Sequence, residues 1–150
     1  MNEKVDELDL KIIRELQADA RKSYRSIAVK LGVAEGTVYN RIDKLRRLEV
    51  IEGFAPVVNF LKLGYDLTAI IGVVVEGGHL PEIEERIARD DNVSAVYDVT
   101  GEYDVIVIGK FRDRKELDEF VKRVLSMPHV KHTNTMIALN VVKENHGIRI

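Results

Sequence analysis

The stretch TGEYDVIVIGKF, Thr100 to Phe111, concentrates polar chemistry at its start: Gly101 is followed by Glu102, Tyr103 and Asp104, with Tyr97 and Asp98 just before. Gly101-Glu102 reads as a two-residue hairpin turn. A turn needs the glycine but not three carboxylates and two phenols. Glu102 or Asp104 can accept hydrogen bonds from an ammonium group, and the N–H groups of a glycine turn can hold a carboxylate. The alternative is a solvated hairpin tip whose charges serve solubility alone.

A second constellation is cationic. Residues 21–47 carry Arg21, Lys22, Arg25, Lys30, Arg41, Lys44, Arg46 and Arg47 against only Glu35 and Asp43, whereas residues 1–20 hold three basic and six acidic side chains. A basic block within a chain of net charge −2 is a local electrostatic footprint. At about 100° per residue, a helix packing Val38, Ile42 and Leu45 inward presents Gly36, Asn40, Lys44 and Arg47 on its far face, flanked by Thr37 and Arg41 on one side and Tyr39 and Asp43 on the other. Lys and Arg neutralise phosphates and read guanine; Asn40 can pair with an adenine edge; Gly36 lets the backbone approach a phosphate. An amphipathic helix with a merely solvated face has a similar composition.

The elements that must position these groups follow from periodicity. A first helix spans Asp6 to Asp19, with Leu8, Ile12, Ile13 and Leu16 on one stripe and acids in its first turn. Ser23 caps a short second helix carrying Ile27, Ala28 and Leu31, and Gly32 ends it. A third runs from about Glu35 to Leu48, with Ala34 where a capping Ser, Thr or Asp is expected. Ala28, Gly32 and Val38 fit a helix-turn-helix: a small residue where the helices touch, a turn residue that tolerates positive φ, and an apolar anchor. A connector with Pro56 leads into strand 66–76, helix 80–90, strands 93–100 and 103–111, helix 113–127 and strand 130–143. This is the βαββαβ order of a ferredoxin-like domain. A 37-residue shift maps Ile71 to Ile108, Gly72 to Gly109, Leu80 to Leu117, Ile83 to Phe120, Arg86 to Arg123, Ile87 to Val124 and Val93 to Val130. The expected fold is α+β, with a helix-turn-helix over 1–52, a linker strand over 53–64 and the ferredoxin-like domain over 65–150.

Strands one and three are apolar on both faces: Leu67, Ala69, Ile71, Val73 and Val75 against Ile70 and Val74, and Val105 and Val107 against Ile106 and Ile108. Two helices cover one face only, so the other calls for a second copy of the chain. A symmetric dimer also sets two helix-turn-helix units one DNA turn apart.

Composition narrows the classes. Apolar residues at 45% and charged residues at 32% describe a globular chain. No apolar run reaches the ~20 residues that span a bilayer. MNEKVDELDL lacks a signal-peptide core, giving the expectation of a cytoplasmic protein. There are no cysteines, so disulfides and thiolate metal sites are excluded. Of His79, His129, His132 and His146, only His129-x-x-His132 has chelate spacing, and it falls where side chains diverge at a strand entry. No metal and no cofactor is expected. With no phosphate-binding glycine loop, no G-x-S-x-G and no H-E-x-x-H, neither is an enzyme.

The segments LDLKIIRELQADARKSYRSIAVKLGV, TVYNRIDKLRRLEVIEGF, KLGYDLTAIIGV, GEYD and VKHTNTMIALNVVKE, in this order, resemble the Lrp/AsnC (feast/famine) family of transcriptional regulators. Ala34 and Gly36 depart from the family's usual Ser/Thr at the start of the recognition helix. The resemblance implies double-stranded DNA as partner, with Gly36, Thr37, Tyr39, Asn40, Arg41, Lys44 and Arg47 at the interface. It implies homodimers that assemble further, commonly into octamers, and an amino acid or related metabolite bound between dimers. The matching effector positions are Gly101, Glu102, Tyr103 and Asp104 in the loop, Thr133 and Thr135 on the final strand with Met136 beside them, and Tyr97. Thr133 and Thr135, two apart, share one strand face, where their hydroxyls can hold a carboxylate. An effector-independent, architectural DNA-binding protein of the same fold is the alternative.

Overall fold

The computed structural model describes residues 4–145 and 147–150; residues 1–3 and His146 lie outside the described residues. The chain forms two compact units, one of residues 1–57 with 144–150, the other of residues 58–143.

The first unit is built on three helices, α1 (Glu7–Ala18), α2 (Tyr24–Leu31) and α3 (Glu35–Arg47). Asp6 and Asp9 start α1 as a reciprocal capping box: the Asp6 carboxylate accepts from the Asp9 N–H at 3.0 Å, and that of Asp9 accepts from the Asp6 N–H at 2.9 Å. Ser23 caps α2 by accepting from the Ser26 N–H, and Gly32 closes it with φ +69°, the left-handed conformation a side chain would strain. Ala34 gives α3 no side-chain cap. Ile12, Leu16, Ile27, Ala28, Val38 and Ile42 form one buried cluster. Each full-size aliphatic there contributes roughly 1.5–3 kcal/mol of burial. Ala28 and Val38 sit in that cluster and Gly32 makes the turn, so helix two meets helix three as their spacing predicts.

The second unit has strands β1 (Leu67–Val75), β2 (Val93–Asp98), β3 (Val105–Phe111) and β4 (Val130–Ile137) and helices α4 (Leu80–Ala88) and α5 (Arg114–Leu125). The sheet order is β2-β3-β1-β4, all neighbours antiparallel, which is the ferredoxin-like arrangement. Ala69, Ile71, Val73, Val75, Val105, Val107 and Phe111 pack against Ile83, Ile87, Leu117, Phe120 and Val124 of the two helices. Ile70, Val74, Ile106 and Ile108 alternate onto the other face, where they are only half-buried, and Tyr97 and Met136 are exposed there.

Three expectations change. Segment 53–64 forms no strand: it carries a 3₁₀ turn at Phe60–Leu63, capped by Asn59 and closed by Gly64, because a strand needs a hydrogen-bonding neighbour and none flanks it among the described residues. The final strand stops at Ile137, opposite Ala69, since β1 supplies no partner beyond the Thr68 carbonyl that takes the Ala138 N–H. The 37-residue repeat holds for the buried positions of α4 and α5 but slips between β1 and β3. Val93 and Val130 both still pack against the helix-covered core, but β3 is set one residue out of step with β1, so Ile71 is buried toward the helices while Ile108 lies on the other face. Gly72 and Gly109 likewise answer to different neighbours, a Cβ meeting the Tyr103 ring at 2.6 Å in the first and the Phe111 ring at 2.7 Å in the second.

Candidate DNA-reading helix and effector loop

On α3, Gly36, Tyr39, Asn40 and Arg47 are exposed and Thr37 is half-buried. The Tyr39 ring rests 6.3 Å from that of Tyr24, and Arg47 pairs with Asp43 at 3.3 Å. Lys44 and Arg41 behave differently. The Lys44 ammonium donates to Asp9 Oδ2 at 2.5 Å and to the Lys4 carbonyl at 2.9 Å; its side chain is 12% exposed and that of Asp9 is 0% exposed. Arg41 pairs with Asp6 and, at 3.3 Å, with Asp9. This corrects the placement of Lys44 on the outward face. About 100° per residue sets Lys44 some 120° from Val38, on the flank shared with Arg41, so both reach the buried acid of α1 instead. Arg41 holds the Asp6 carboxyl down to about 2, the Asp9 N–H adding to the effect.

The basic block is also partly neutralised elsewhere. Lys22 and Lys30 both pair with Glu15, and their hydrogen bonds lower its pKa. Arg21, Arg25 and Arg46 are exposed. The acids at the start and along α1 that meet these cations were visible in the sequence as a charge count, but their partners are 7 to 35 residues away and only the packing of α1 on α2 and α3 pairs them.

The GEYD loop is longer than a two-residue hairpin. β2 ends at Asp98 and β3 begins at Val105, with Gly101 at φ +129° between them. Asp104 holds the loop's exit: its N–H donates to the Val73 carbonyl at 3.0 Å, its carbonyl accepts from the Val99 N–H at 3.0 Å, and Oδ2 accepts from the Val75 N–H at 2.8 Å. One oxygen of the Asp104 carboxylate therefore supports the end of β1, and Glu102 is the exposed acid of the loop.

Tyr103 lies flat over Gly72, and its hydroxyl accepts from Asn134 Nδ2 at 2.6 Å. Asn134 was missed from the sequence; the signal for its neighbour was Gly72, a glycine inside a strand that marks close approach of another group. The final-strand residues divide. Thr133 and Thr135 oppose Val73 and Ile71 and so share the helix-covered face, whereas Met136 opposes Ile70 on the open face with Tyr97, which opposes Ile106. The eight expected positions therefore do not converge within one chain: Tyr97, Tyr103 and Met136 belong to one side, Thr133 and Thr135 to the other. At the same end of β1, the His129 ring stacks on His79 at 3.4 Å and lies 3.2 Å from Glu76, whose pKa that bond lowers.

A helix-turn-helix followed by a ferredoxin-like unit with a polar loop at its sheet end is the two-part layout of a DNA-binding regulator. Residues 5–46 match the AsnC-type helix-turn-helix domain and residues 68–148 the Lrp/AsnC ligand binding domain. The chain belongs to the Lrp/AsnC family of transcriptional regulators. An uncharacterised HTH-type transcriptional regulator of Pyrococcus furiosus is 57% identical over 94% of this chain and 95% of its own length. The HTH-type transcriptional regulator FL11 of Pyrococcus abyssi is 37% identical over 100% of this chain and 99% of its own. Among solved structures, AsnC of Escherichia coli superposes with a TM-score of 0.90 at 25% identity, covering 99% of this chain and 100% of that one. No described helix is long and apolar enough to cross a membrane.

Proposed function

We propose that this regulator works as a homodimer closed through the open sheet face, assembling further to an octamer, and that an amino acid or related metabolite bound between dimers sets the spacing of its DNA-reading helices. The observation that carries the reading is the face of Ile70, Val74, Ile106 and Ile108, half-buried in a single chain and uncovered by either helix. Such a patch is covered most economically by its own copy, and a twofold dimer presents two α3 helices to successive major grooves. On α3, Gly36, Thr37, Tyr39, Asn40 and Arg47 carry the groove contacts, with Arg41 at the flank.

The division of the effector positions between two sides of one sheet supports a ligand site completed by more than one chain. Glu102 receives the ammonium, Thr133 and Thr135 the carboxylate, Met136 and Tyr97 contact the side chain, and Tyr103 and Asp104 hold the loop's shape. Isothermal titration with the twenty amino acids, paired with sedimentation in their presence, tests this. Heat for one or a few, with a change in assembly state, supports it. No heat and an unchanged assembly would overturn the effector reading in favour of an architectural DNA-binding protein.

A further inference from the structure

The C-terminal residues 144–150 do not stay with the sheet unit from which they emerge; they belong to the helical unit. Gln17 of α1 grips their main chain at two points: Nε2 donates to the Ile148 carbonyl at 2.8 Å, and Oε1 accepts from the Ile150 N–H at 3.2 Å. Arg14, one turn earlier on the same helix face, donates from Nε to the Ile150 oxygen at 3.1 Å while its Nη1 reaches Glu7 at 3.3 Å. A side-chain amide that donates to one residue's carbonyl and accepts from the N–H two residues on reproduces the pairing a neighbouring strand would offer. All three bonds go to backbone, and Ile148 is 82% exposed, so what is held is an extended path rather than a side chain in a pocket.

We propose that residues 147–150 form a reversible strap, clasped by Gln17 and Arg14, whose docking on α1 sets the DNA affinity of the helix-turn-helix unit. Three exposed hydrogen bonds gain little net stability in water, and ordering the backbone of the residues they hold offsets much of it. With so little apolar burial to add, docked and released forms lie close in free energy, which suits a latch and not a permanent seam. The chain leads to the strap from β4, the strand of Thr133, Thr135 and Met136; Ala138 still bonds to Thr68, and residues 139–146 intervene. Strap and linker 53–64 thus give two covalent routes from the ligand-binding unit to the DNA-binding one. Coupling of the strap to an effector rests on the proposed ligand reading; its effect on DNA affinity does not.

The test uses the full-length protein, Gln17→Ala, a truncation ending at Lys143, and the truncation carrying Gln17→Ala. Trypsin cleaves after Arg149, inside the clasped segment, so release of Ile150 followed by mass spectrometry reports docking. Cleavage should be several-fold faster in Gln17→Ala. Binding to a mixed-sequence duplex of about 40 base pairs, at a fixed low salt concentration, reports the consequence. Gln17→Ala and the truncation should each shift affinity at least about threefold in the same direction, with no further shift when combined. Equal cleavage rates would show that Gln17 does not hold the strap. Unchanged affinity in both variants, or additive shifts, would overturn its role in DNA binding. An absence of any amino-acid effect would count against the effector reading alone and leave both of these readouts standing.

Discussion

Lys44→Met separates a buried strut from a phosphate contact. In water the ammonium of Lys44 would be hydrated; here it lies 2.5 Å from Asp9 Oδ2, with the acid fully buried and the Lys44 side chain 12% exposed. At an effective dielectric near 20, two unit charges at that spacing attract by roughly 7 kcal/mol, most of which offsets the desolvation of both groups. Removing one partner of such a pair typically costs about 3–5 kcal/mol because the other charge stays buried. Arg41 remains 3.3 Å from Asp9 Oδ1 and the Asp6 N–H 2.9 Å from Oδ2, so the remaining carboxylate is partly compensated. We therefore expect a loss of about 2–3 kcal/mol from the helical unit. Hydrogen exchange at the Ile12 and Ile42 amides, both in its core, reads that loss locally, and Asp9→Leu combined with Lys44→Met should recover much of it. The salt dependence of DNA binding, corrected for the folded fraction, should keep its slope. A slope reduced by ~0.9 with unchanged exchange at Ile12 and Ile42 would refute the reasoning and return Lys44 to the phosphate backbone.

Three further outcomes follow from other contacts. Asp6→Asn should raise DNA affinity a few-fold at low salt by releasing Arg41; in the parent, the folded Asp6 pKa of about 2 lies below its ordinary 3.8, so its contribution to stability is complete above pH ~4 and disappears as pH falls through 2. Acid titration of the helical unit should show that lost slope in the parent and not in the variant. Glu84 has the opposite sign: burial, then the nearby Asp98, raises its pKa, and its Oε1 is buried without a hydrogen-bond partner among the described residues, so stability falls as pH rises from 4.5 through the raised value. Glu84→Gln should be more stable than the parent at pH ~7 and equal to it at pH ~4, as judged by urea midpoints. Gly72→Ala places a Cβ 2.6 Å from the Tyr103 ring, which must move off the sheet and give up Asn134. The expected cost is about 1–3 kcal/mol, with faster exchange in residues 99–104; a neutral substitution would show that the ring is not held there.

What the sequence disclosed and what it concealed divide along one physical line. Periodicity and caps are local, so α1, α2 and α3, the Ser23 and Gly32 ends and the βαββαβ order could be read from neighbours three or four residues apart. The two-sided apolarity of β1 and β3 was equally local, and it pointed to a face that neither helix covers. Lys44 failed because a helical wheel gives direction around one axis and says nothing of what stands beside it; at ~120° from the core, its surroundings depend on whether a second helix brings an acid there, and α1 brings Asp9. Asp104 has a backbone partner that the sequence likewise concealed. A carboxylate next to a glycine turn looks available until the neighbouring strand is known to end at Val75 with an N–H to satisfy. In both cases a charged group assigned to a ligand was already answering a backbone or a buried countercharge. The same test applied to the remaining candidates leaves Glu102, Asn40 and Tyr97, side chains that stand exposed in the single chain, as those on which function can be tested with least interference from folding.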